Sequence, residues 1–557
     1  MSEKICLAQS IEELKFILSK SESEKLSVVP LNLETQLYCI DNKINFINPI
    51  NIIDTRTHME ILEKSDELIK SIKFGNIFSH SVREEYKSII RFHFNACCFL
   101  IKLLKNINKE NEISKVYISG WSSFYSPLDL RNYFISDLVK DLFKNFKIIE
   151  IGNQKKIIYN YPKYSYEPII NNYKKNKIIL INNPYYNFKR IVYWAKKNYT
   201  DIHLINFKKT NLFEKIFNKI KGLTLINVRK KKEKVKDDFF LDNIDVKFEG
   251  IDLSNTLNNI KELSKSYLSD QIRKAKAVET YLKKVKPSLI VINSTKGFSG
   301  YLAELGLKYK IKSLSISHGT IARSFNKFDK IFKKAIAENT FTGKASYWAI
   351  QSKIAEDSLN THKLDGKAIN TGNLIFAEKE NNSEKKNVLV AVTIKNLVSY
   401  HFLGIEMYYE FIENLKLFNS IAKNKNLNFI IQIHPSSIHC IPMLKKNFKN
   451  IDFSKKKIDK KLEKSFVTIS FSSTAIEDSL YCNVPVILFD RWSRYKHCVS
   501  EEDNSKTNEA IYYATNEKNL LESINSIKKS NKINFGKYIF EGNSKKNFDN
   551  VLKKLLV

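Results

Sequence analysis

The feature that most constrains this 557-residue chain is an alternation repeated along it: short apolar, mostly β-branched runs followed by longer stretches with helical spacing. A short run that is apolar throughout suits a strand covered on both faces, and strands alternating with helices build α/β layers around a mostly parallel sheet. A first series of runs falls at 115–119, 147–151, 177–181, 202–205, 289–292 and 313–316. A second falls at 388–392, 429–433, 466–470 and 484–489. Between them, 377–387 is charged and Asn-rich without an apolar period, which reads as a linker. The expected fold is therefore α/β with two Rossmann-like domains facing across a cleft. They cover 111–376 and 388–557, behind an N-terminal extension over 1–110. Within the extension, 37–53 reads as a strand and turn and 89–104 as an apolar helix. The stretch 208–252 reads as an insertion.

Composition narrows the function. Lys and Arg number 92 against 59 Asp and Glu, a net charge of +33, which suits phosphorylated substrates or an anionic membrane surface. The charge is spread along the chain, whereas a nucleic-acid arm concentrates it beside aromatics, so no nucleic-acid partner is expected. The densest run, Arg229-Lys230-Lys231-Lys232, reads as a solvated loop. Seven cysteines form no C-x-x-C pair and show no metal-ligand spacing. They read as reduced core thiols, with no metal and no disulfide framework. No window is apolar enough to span a bilayer, and Glu12 and Glu13 replace the basic start of an export signal. The expected location is cytoplasmic, with peripheral docking on the inner face of the plasma membrane open to it.

Ligands of open α/β sheets bind beyond the carboxyl ends of the strands, and three sequences occupy such positions. The run at 429–433 ends in His434-Pro435. The proline stops the strand and holds the imidazole at its mouth, where it can donate to a phosphate oxygen. The alternative is a histidine that only closes the strand. The run at 466–470 leads through Phe471 into Ser472-Ser473-Thr474 and a helical pattern. Hydroxyls beside free amides suit an anion, although plain helix capping would select the same residues. The next run ends in Asp490-Arg491-Trp492, an acid, a cation and an aromatic suited to a ribose or base. The third sequence is 312–317 followed by His318-Gly319-Thr320, where Gly319 permits a sharp turn exposing His318. A neutral imidazole there suits a general base for an acceptor hydroxyl, against a structural turn histidine as the alternative. The preceding loop, 294–300, carries Gly297 and Gly300, where a ligand could approach closely.

In this order, a strand ending in His318-Gly319-Thr320, one ending in His434-Pro435 and one entering Ser472-Ser473-Thr474 resemble bacterial GT-B transferases of surface polysaccharides. Two relatives share the scheme: CDP-glycerol glycerophosphotransferases, and capsule or lipopolysaccharide transferases that use CMP-activated Kdo or sialic acid. The resemblance covers roughly 286–490, and Thr371-Gly372-Asn373 looks like the turn these families place between domains. It implies a donor-phosphate role for His434, Ser472, Ser473 and Thr474, with Pro435 beside them, and a catalytic-base role for His318. The strand ends and loops themselves, apart from the resemblance, add Gly319, Thr320, Gly297, Asp490 and Arg491 as candidate nucleotide or acceptor contacts. The implied partners are a nucleotide sugar, with CMP as the expected nucleotide, and a glycan or lipid-linked glycan acceptor; no separate cofactor is implied. The acidic motif of polysialyltransferases is missing, and Asp490-Arg491-Trp492 departs from the glycerophosphotransferase pattern. A non-catalytic scaffold and a non-hydrolysing sugar-nucleotide epimerase are the readings from other classes.

Overall fold

The computed structural model describes residues 3–556 apart from 22–24, 49–53, 74–78, 111–112, 120–137, 141, 143–146, 152–163, 171–176, 184–187, 208–211, 233–240, 318–321, 328, 332, 334–342, 360–365, 374–383, 392–405, 456–457, 494 and 541–543. It has the expected α/β architecture, with two Rossmann-like sheets and a third, smaller sheet at the N-terminus.

The N-terminal sheet is parallel, in the order Ser27–Pro30, Glu3–Ala8, Ile113–Ser119, Lys147–Ile151. The runs at 115–119 and 147–151, expected to open the first Rossmann-like sheet, therefore complete the sheet of the extension, which crosses the boundary near 110. Of the strand and turn expected within 37–53, residues 37–41 are the end of helix Leu33–Asp41, Phe46 makes a single parallel bridge to Val28, and 49–53 lie outside the described residues. The Asn32 side chain accepts from the Thr35 amide at 2.7 Å, and this cap starts the helix. The apolar helix does form, as the centre of the 31-residue His80–Glu110.

The second sheet has eight strands in the order Lys367–Asn370, Tyr347–Ile350, Lys312–Ser315, Leu289–Ile292, Ile178–Ile181, Asp201–Asn206, Leu223–Lys232, Tyr164–Pro168. All neighbours are parallel except the last pair, which is antiparallel. From Ile178–Ile181 the chain winds outward one way, then returns through Leu289–Ile292 and winds the other way. The basic run Arg229–Lys232 is the end of an edge-paired strand rather than a loop, with Lys231 2.9 Å from Glu167 across the pair. Leu225, Asn227 and Arg229 alternate with Ile226 and Val228 there, a period hidden by the lysines that follow.

The third sheet is wholly parallel, in the order Asp452–Ser454, Asn428–Gln432, Asn387–Ala391, Ser465–Ser470, Val486–Phe489, Ile511–Ala514. Numbered by sequence, this is 3-2-1-4-5-6, the order of doubly wound nucleotide-binding folds. Val388, Leu389, Phe429, Ile431, Val467, Val486 and Ile487 are fully buried, as strands covered on both faces must be.

The two large units are joined by more than the linker, most of which lies outside the described residues. Tyr481 donates to the Gln351 carbonyl at 2.6 Å, Ser352 donates to Glu477, and Asn373 reaches Asp478 at 3.5 Å. Thr371-Gly372-Asn373 thus stands where the units meet, and Gly372 takes the left-handed φ of +63° that the turn requires. The last helix, Ser544–Leu556, falls within the 388–557 unit by sequence yet packs on the first of the two large sheets. Its Phe548, Val551, Leu552 and Leu555 join Ile179, Ile191 and Leu314 in one core. The N-terminal sheet also docks on the last unit: Tyr409 donates to the Pro30 carbonyl at 2.7 Å, and His439 pairs with Glu34.

Candidate active site

In a 3-2-1-4-5-6 sheet the crevice opens where strands one and four part, beyond their carboxyl ends. Here those strands are Asn387–Ala391 and Ser465–Ser470, and an open cleft lies at that point. Ala391, Ser470 and Phe471 form its floor, helix Glu406–Lys425 forms one wall and 489–492 the other. The Ser470 hydroxyl donates to the Ala391 carbonyl at 3.0 Å and ties the two strand ends together.

Asp490 and Arg491 line this cleft together with Trp492. Asp490 is buried, and its Oδ2 accepts from the Tyr495 amide at 2.8 Å and the Tyr513 hydroxyl at 3.2 Å. That carboxylate oxygen anchors a tight turn in which Ser493 has a positive φ of 50°. The turn holds Arg491 and Trp492 at the rim. Arg491 donates to the Glu413 carbonyl at 3.2 Å and to the Asn414 side chain at 3.4 Å, and its guanidinium lies 5.1 Å from the Trp492 ring centroid. A cation and an aromatic face are thereby fixed beside an apolar floor, an arrangement that can stack a base and attract a phosphate.

The Ser472-Ser473-Thr474 turn follows directly from the cleft residue Phe471. Ser473 accepts from the Ala475 amide at 3.2 Å, so one of the three hydroxyls holds the first amide of the seven-residue helix Ala475–Tyr481, whose N-cap residue Thr474 makes no side-chain capping bond. The first turn of that helix carries Glu477 and Asp478, which face the other unit through Ser352 and Asn373. His434 lies just beyond Asn428–Gln432, the strand beside Asn387–Ala391, and its carbonyl accepts from the Ser437 amide at 2.9 Å. Pro435, exposed, opens a 3₁₀ turn over Pro435–Cys440. His434 and the Ser472–Thr474 turn thus follow the two strands on either side of Asn387–Ala391, and neither lines the cleft itself. The connection after Ala391, from 392 to 405, lies outside the described residues.

In the other unit, His318, Gly319 and Thr320 lie outside the described residues. Gly297 opens helix Gly297–Lys308 with a φ of +58°, but the space its missing side chain leaves is taken by Glu85 of His80–Glu110, 3.3 Å from where a Cβ would stand. Gly300 likewise admits the Thr295 carbonyl and Ser81. These glycines serve helix packing, a role that loop composition alone does not distinguish from ligand approach. At the crevice of this sheet, between Ile178–Ile181 and Leu289–Ile292, Asn182 donates to Asn293 at 2.7 Å and also to Ser299.

Sequence reasoning missed two features. Glu410 is a buried carboxylate in the cleft, on the same helix face as Asn414 and Phe418. The four-residue steps from Glu410 to Asn414 and from Asn414 to Phe418 are the signal that could have found it. The second is a buried ion pair, Lys333–Asp329 at 2.9 Å, with both side chains at 1% exposure or less. Lys333 also donates to the carbonyls of Arg323 at 2.6 Å, Lys496 at 3.0 Å and His497 at 3.3 Å, and lies over the rings of Phe325 and Tyr495. It therefore fastens 323–333 of one unit to the loop that begins at Asp490 in the other. Burial pulls Lys333 below the usual lysine range and lifts Asp329 above the usual carboxylate range. Beside them His497 is buried and neutral, its pKa lowered to about 3 by burial first and by the Lys333 charge second.

Residues 360–507 match the model of the LIC12162 family transferase, a span that contains the central cleft strands and the 489–492 wall. No curated protein matches the chain. Among solved structures, a UDP-GlcNAc 2-epimerase from Methanocaldococcus jannaschii is 16% identical, with a TM-score of 0.38 over 68% of this chain and 99% of that one. The S. aureus MnaA–UDP co-structure is 11% identical, with a TM-score of 0.39 over 68% and 97%. An S. aureus TarM mutant in complex with Fondaparinux, alpha-GlcNAc-glycerol and UDP is 12% identical, with a TM-score of 0.37 over 69% and 97%. Among the described residues no helix is long and apolar enough to cross a membrane.

Proposed function

We propose that the chain is a glycosyltransferase of surface-polysaccharide synthesis, with its donor nucleotide in the open cleft of the last sheet. The observation that carries this reading is the cleft itself. It sits at the switch point of a 3-2-1-4-5-6 parallel sheet, with Arg491 and Trp492 fixed over an apolar floor. The transferase family match over 360–507 supports it.

In this mechanism the unit over 388–557 holds a CMP-activated sugar, an ulosonic acid such as Kdo or a sialic acid, and the unit over 111–376 brings the glycan acceptor. Trp492 stacks on the base and Arg491 draws the phosphate. His434 and Ser472, with the amides of the 472–474 turn, stabilise charge growing on the departing phosphate. Such preorganised donors typically contribute about 10²–10³ each in turnover. His318 takes the acceptor proton as the acceptor oxygen bonds to the sugar carbon and the carbon–oxygen bond to CMP breaks. No metal enters these steps. The acceptor is glycan at an anionic membrane surface.

The test is product analysis with CMP-Kdo, CMP-sialic acids, CDP-glycerol and UDP-GlcNAc, each with lipid-linked acceptor. Sugar transferred from a CMP donor, lost in His434→Ala, is the expected result. Transfer from CDP-glycerol would replace the sugar donor by a polyol phosphate. Conversion of UDP-GlcNAc without acceptor would make the chain an epimerase. A protein inactive with every donor would favour the scaffold reading.

A further inference from the structure

Seven large hydrophobic side chains are exposed among the described residues, and six of them lie between 169 and 220: Ile169, Tyr193, Tyr199, Phe213, Ile216 and Ile220. Scattered single apolar residues are ordinary on a surface, but concentration in one corner is not. The topology explains the clustering. Helix Lys189–Lys197 links Ile178–Ile181 to Asp201–Asn206, and helix Leu212–Ile220 links that strand to Leu223–Lys232. Both are crossovers between adjacent parallel strands, wound in the same direction, so both helices lie side by side on one face of the sheet. Lys196 fastens them by donating to the Ile220 carbonyl at 2.7 Å.

The first helix has an ordinary inner face, Ile191, Trp194 and Ala195, buried on the sheet. The second turns Phe213, Ile216 and Ile220 outward at 86%, 51% and 68% exposure. Their spacing of three and four residues puts them on one stripe. Tyr199, 89% exposed, stands at the turn after the first helix, and Tyr193 lies under Lys197, whose ammonium is 4.8 Å from its ring centroid. Around this apolar and aromatic surface are the exposed Lys189, Lys196, Lys197, Lys219 and Lys221. Apolar and tyrosine side chains on a short helix, rimmed by lysines, match the chemistry of an anionic bilayer interface: acyl boundary for the stripe, headgroups for the tyrosines, lipid phosphates for the lysines.

We propose that this corner, built from Lys189–Lys197 and Leu212–Ile220, is the surface by which the protein docks on an anionic lipid bilayer. The proposal gives the membrane contact a place on the unit that would receive the acceptor, and it does not depend on which nucleotide the cleft binds. Composition alone predicts only diffuse basic attraction; the fold adds an apolar stripe that long-range attraction would bring to the headgroups.

The test is co-sedimentation of the full chain with vesicles of phosphatidylcholine alone and of equimolar phosphatidylcholine and phosphatidylglycerol, at low and high salt. Binding should need the anionic lipid and weaken with salt. The triple change Phe213→Ser, Ile216→Ser, Ile220→Ser should lower the apparent affinity by at least about tenfold. Lys197→Gln and Lys219→Gln should each lower it by about fivefold. All these side chains are exposed, so circular dichroism and melting temperature should be unchanged, which separates a docking defect from misfolding. Failure of the wild type to bind anionic vesicles at low salt would overturn the proposal, as would full binding by the triple variant. Dimerisation of the wild type that the triple variant abolishes, without vesicle binding, would overturn it in favour of a second copy as the occupant.

Discussion

Replacing Lys333 by Met removes the ammonium that joins the two large units. The methionine keeps most of the side-chain volume, so the loss is electrostatic. Asp329 is left buried without its counter-charge, and the carbonyls of Arg323, Lys496 and His497 lose their donor. Removing one partner of a buried pair costs about 3–5 kcal/mol, most of it the desolvation of the charge left behind. Asp329 also accepts from the Phe325 amide at 2.9 Å, which keeps part of its stabilisation and argues for the lower end. A chain of 557 residues does not unfold in one step, so a melting temperature would blur the effect. The better assay is hydrogen exchange of amides from 495 to 514. A loss of about 3 kcal/mol of local stability should speed exchange there by about 10²-fold. Amides of Glu3–Ala8, in the N-terminal sheet, should not change. Asp329→Asn should behave similarly, and the double variant should be less unstable than the sum of the two, because neither then leaves a buried charge unpaired. Additive effects, or no change at 495–514, would refute the assignment of Lys333 as the fastening between the units.

Three further outcomes follow from neighbouring features. The buried His497 has a folded-state pKa lowered to about 3, below that of an unfolded histidine, so its contribution to stability is complete above about pH 6.5 and is lost as pH falls through the window down to about 3. Protection of the amides at 495–514, corrected for the intrinsic slowing of exchange in acid, should therefore fall on acidification below about pH 6.5, and His497→Asn should flatten that dependence; parallel profiles would contradict it. Phe548→Ala should cost about 3–5 kcal/mol and release helix Ser544–Leu556 from the first large sheet, read as new proteolytic cleavage within 541–556; an unchanged digest would contradict the packing. Glu410→Gln should leave the fold intact while weakening nucleotide binding if the carboxylate holds a ribose, measured by titration calorimetry; unchanged affinity would remove Glu410 from the site.

Much of the sheet framework was legible because buried parallel strands write themselves as uninterrupted apolar runs. Residues 289–292 form the strand expected, the run at 429–433 is displaced by one residue, and those at 388–392 and 466–470 begin one residue earlier than expected. Strands that are short or edge-placed were missed. Tyr164–Pro168 and Lys367–Asn370 each have one face or edge in water and lack that signature. Pairing was the harder question. Nothing in 115–119 reveals that its neighbour is Glu3–Ala8 rather than the next run along the chain, because sheet membership is decided by packing between distant segments. The site shows the same division. Asp490-Arg491-Trp492 could be singled out because it ends a strand, and the structure places all three at the cleft. Glu410 and the Lys333–Asp329 pair escaped because their roles come from partners far away in sequence: Lys333 meets carbonyls 163 and 164 residues later.

The most direct test of the central claim is calorimetric titration of the purified protein with CMP, CDP, UDP, GDP and ADP, alongside Asn414→Trp, which fills the cleft from its helical wall. The account predicts that a cytidine nucleotide binds one site, with CMP ahead of CDP, and that Asn414→Trp abolishes this binding while the protein stays folded. Cytidine binding that survives the filled cleft, or no nucleotide binding by the wild type, would contradict it.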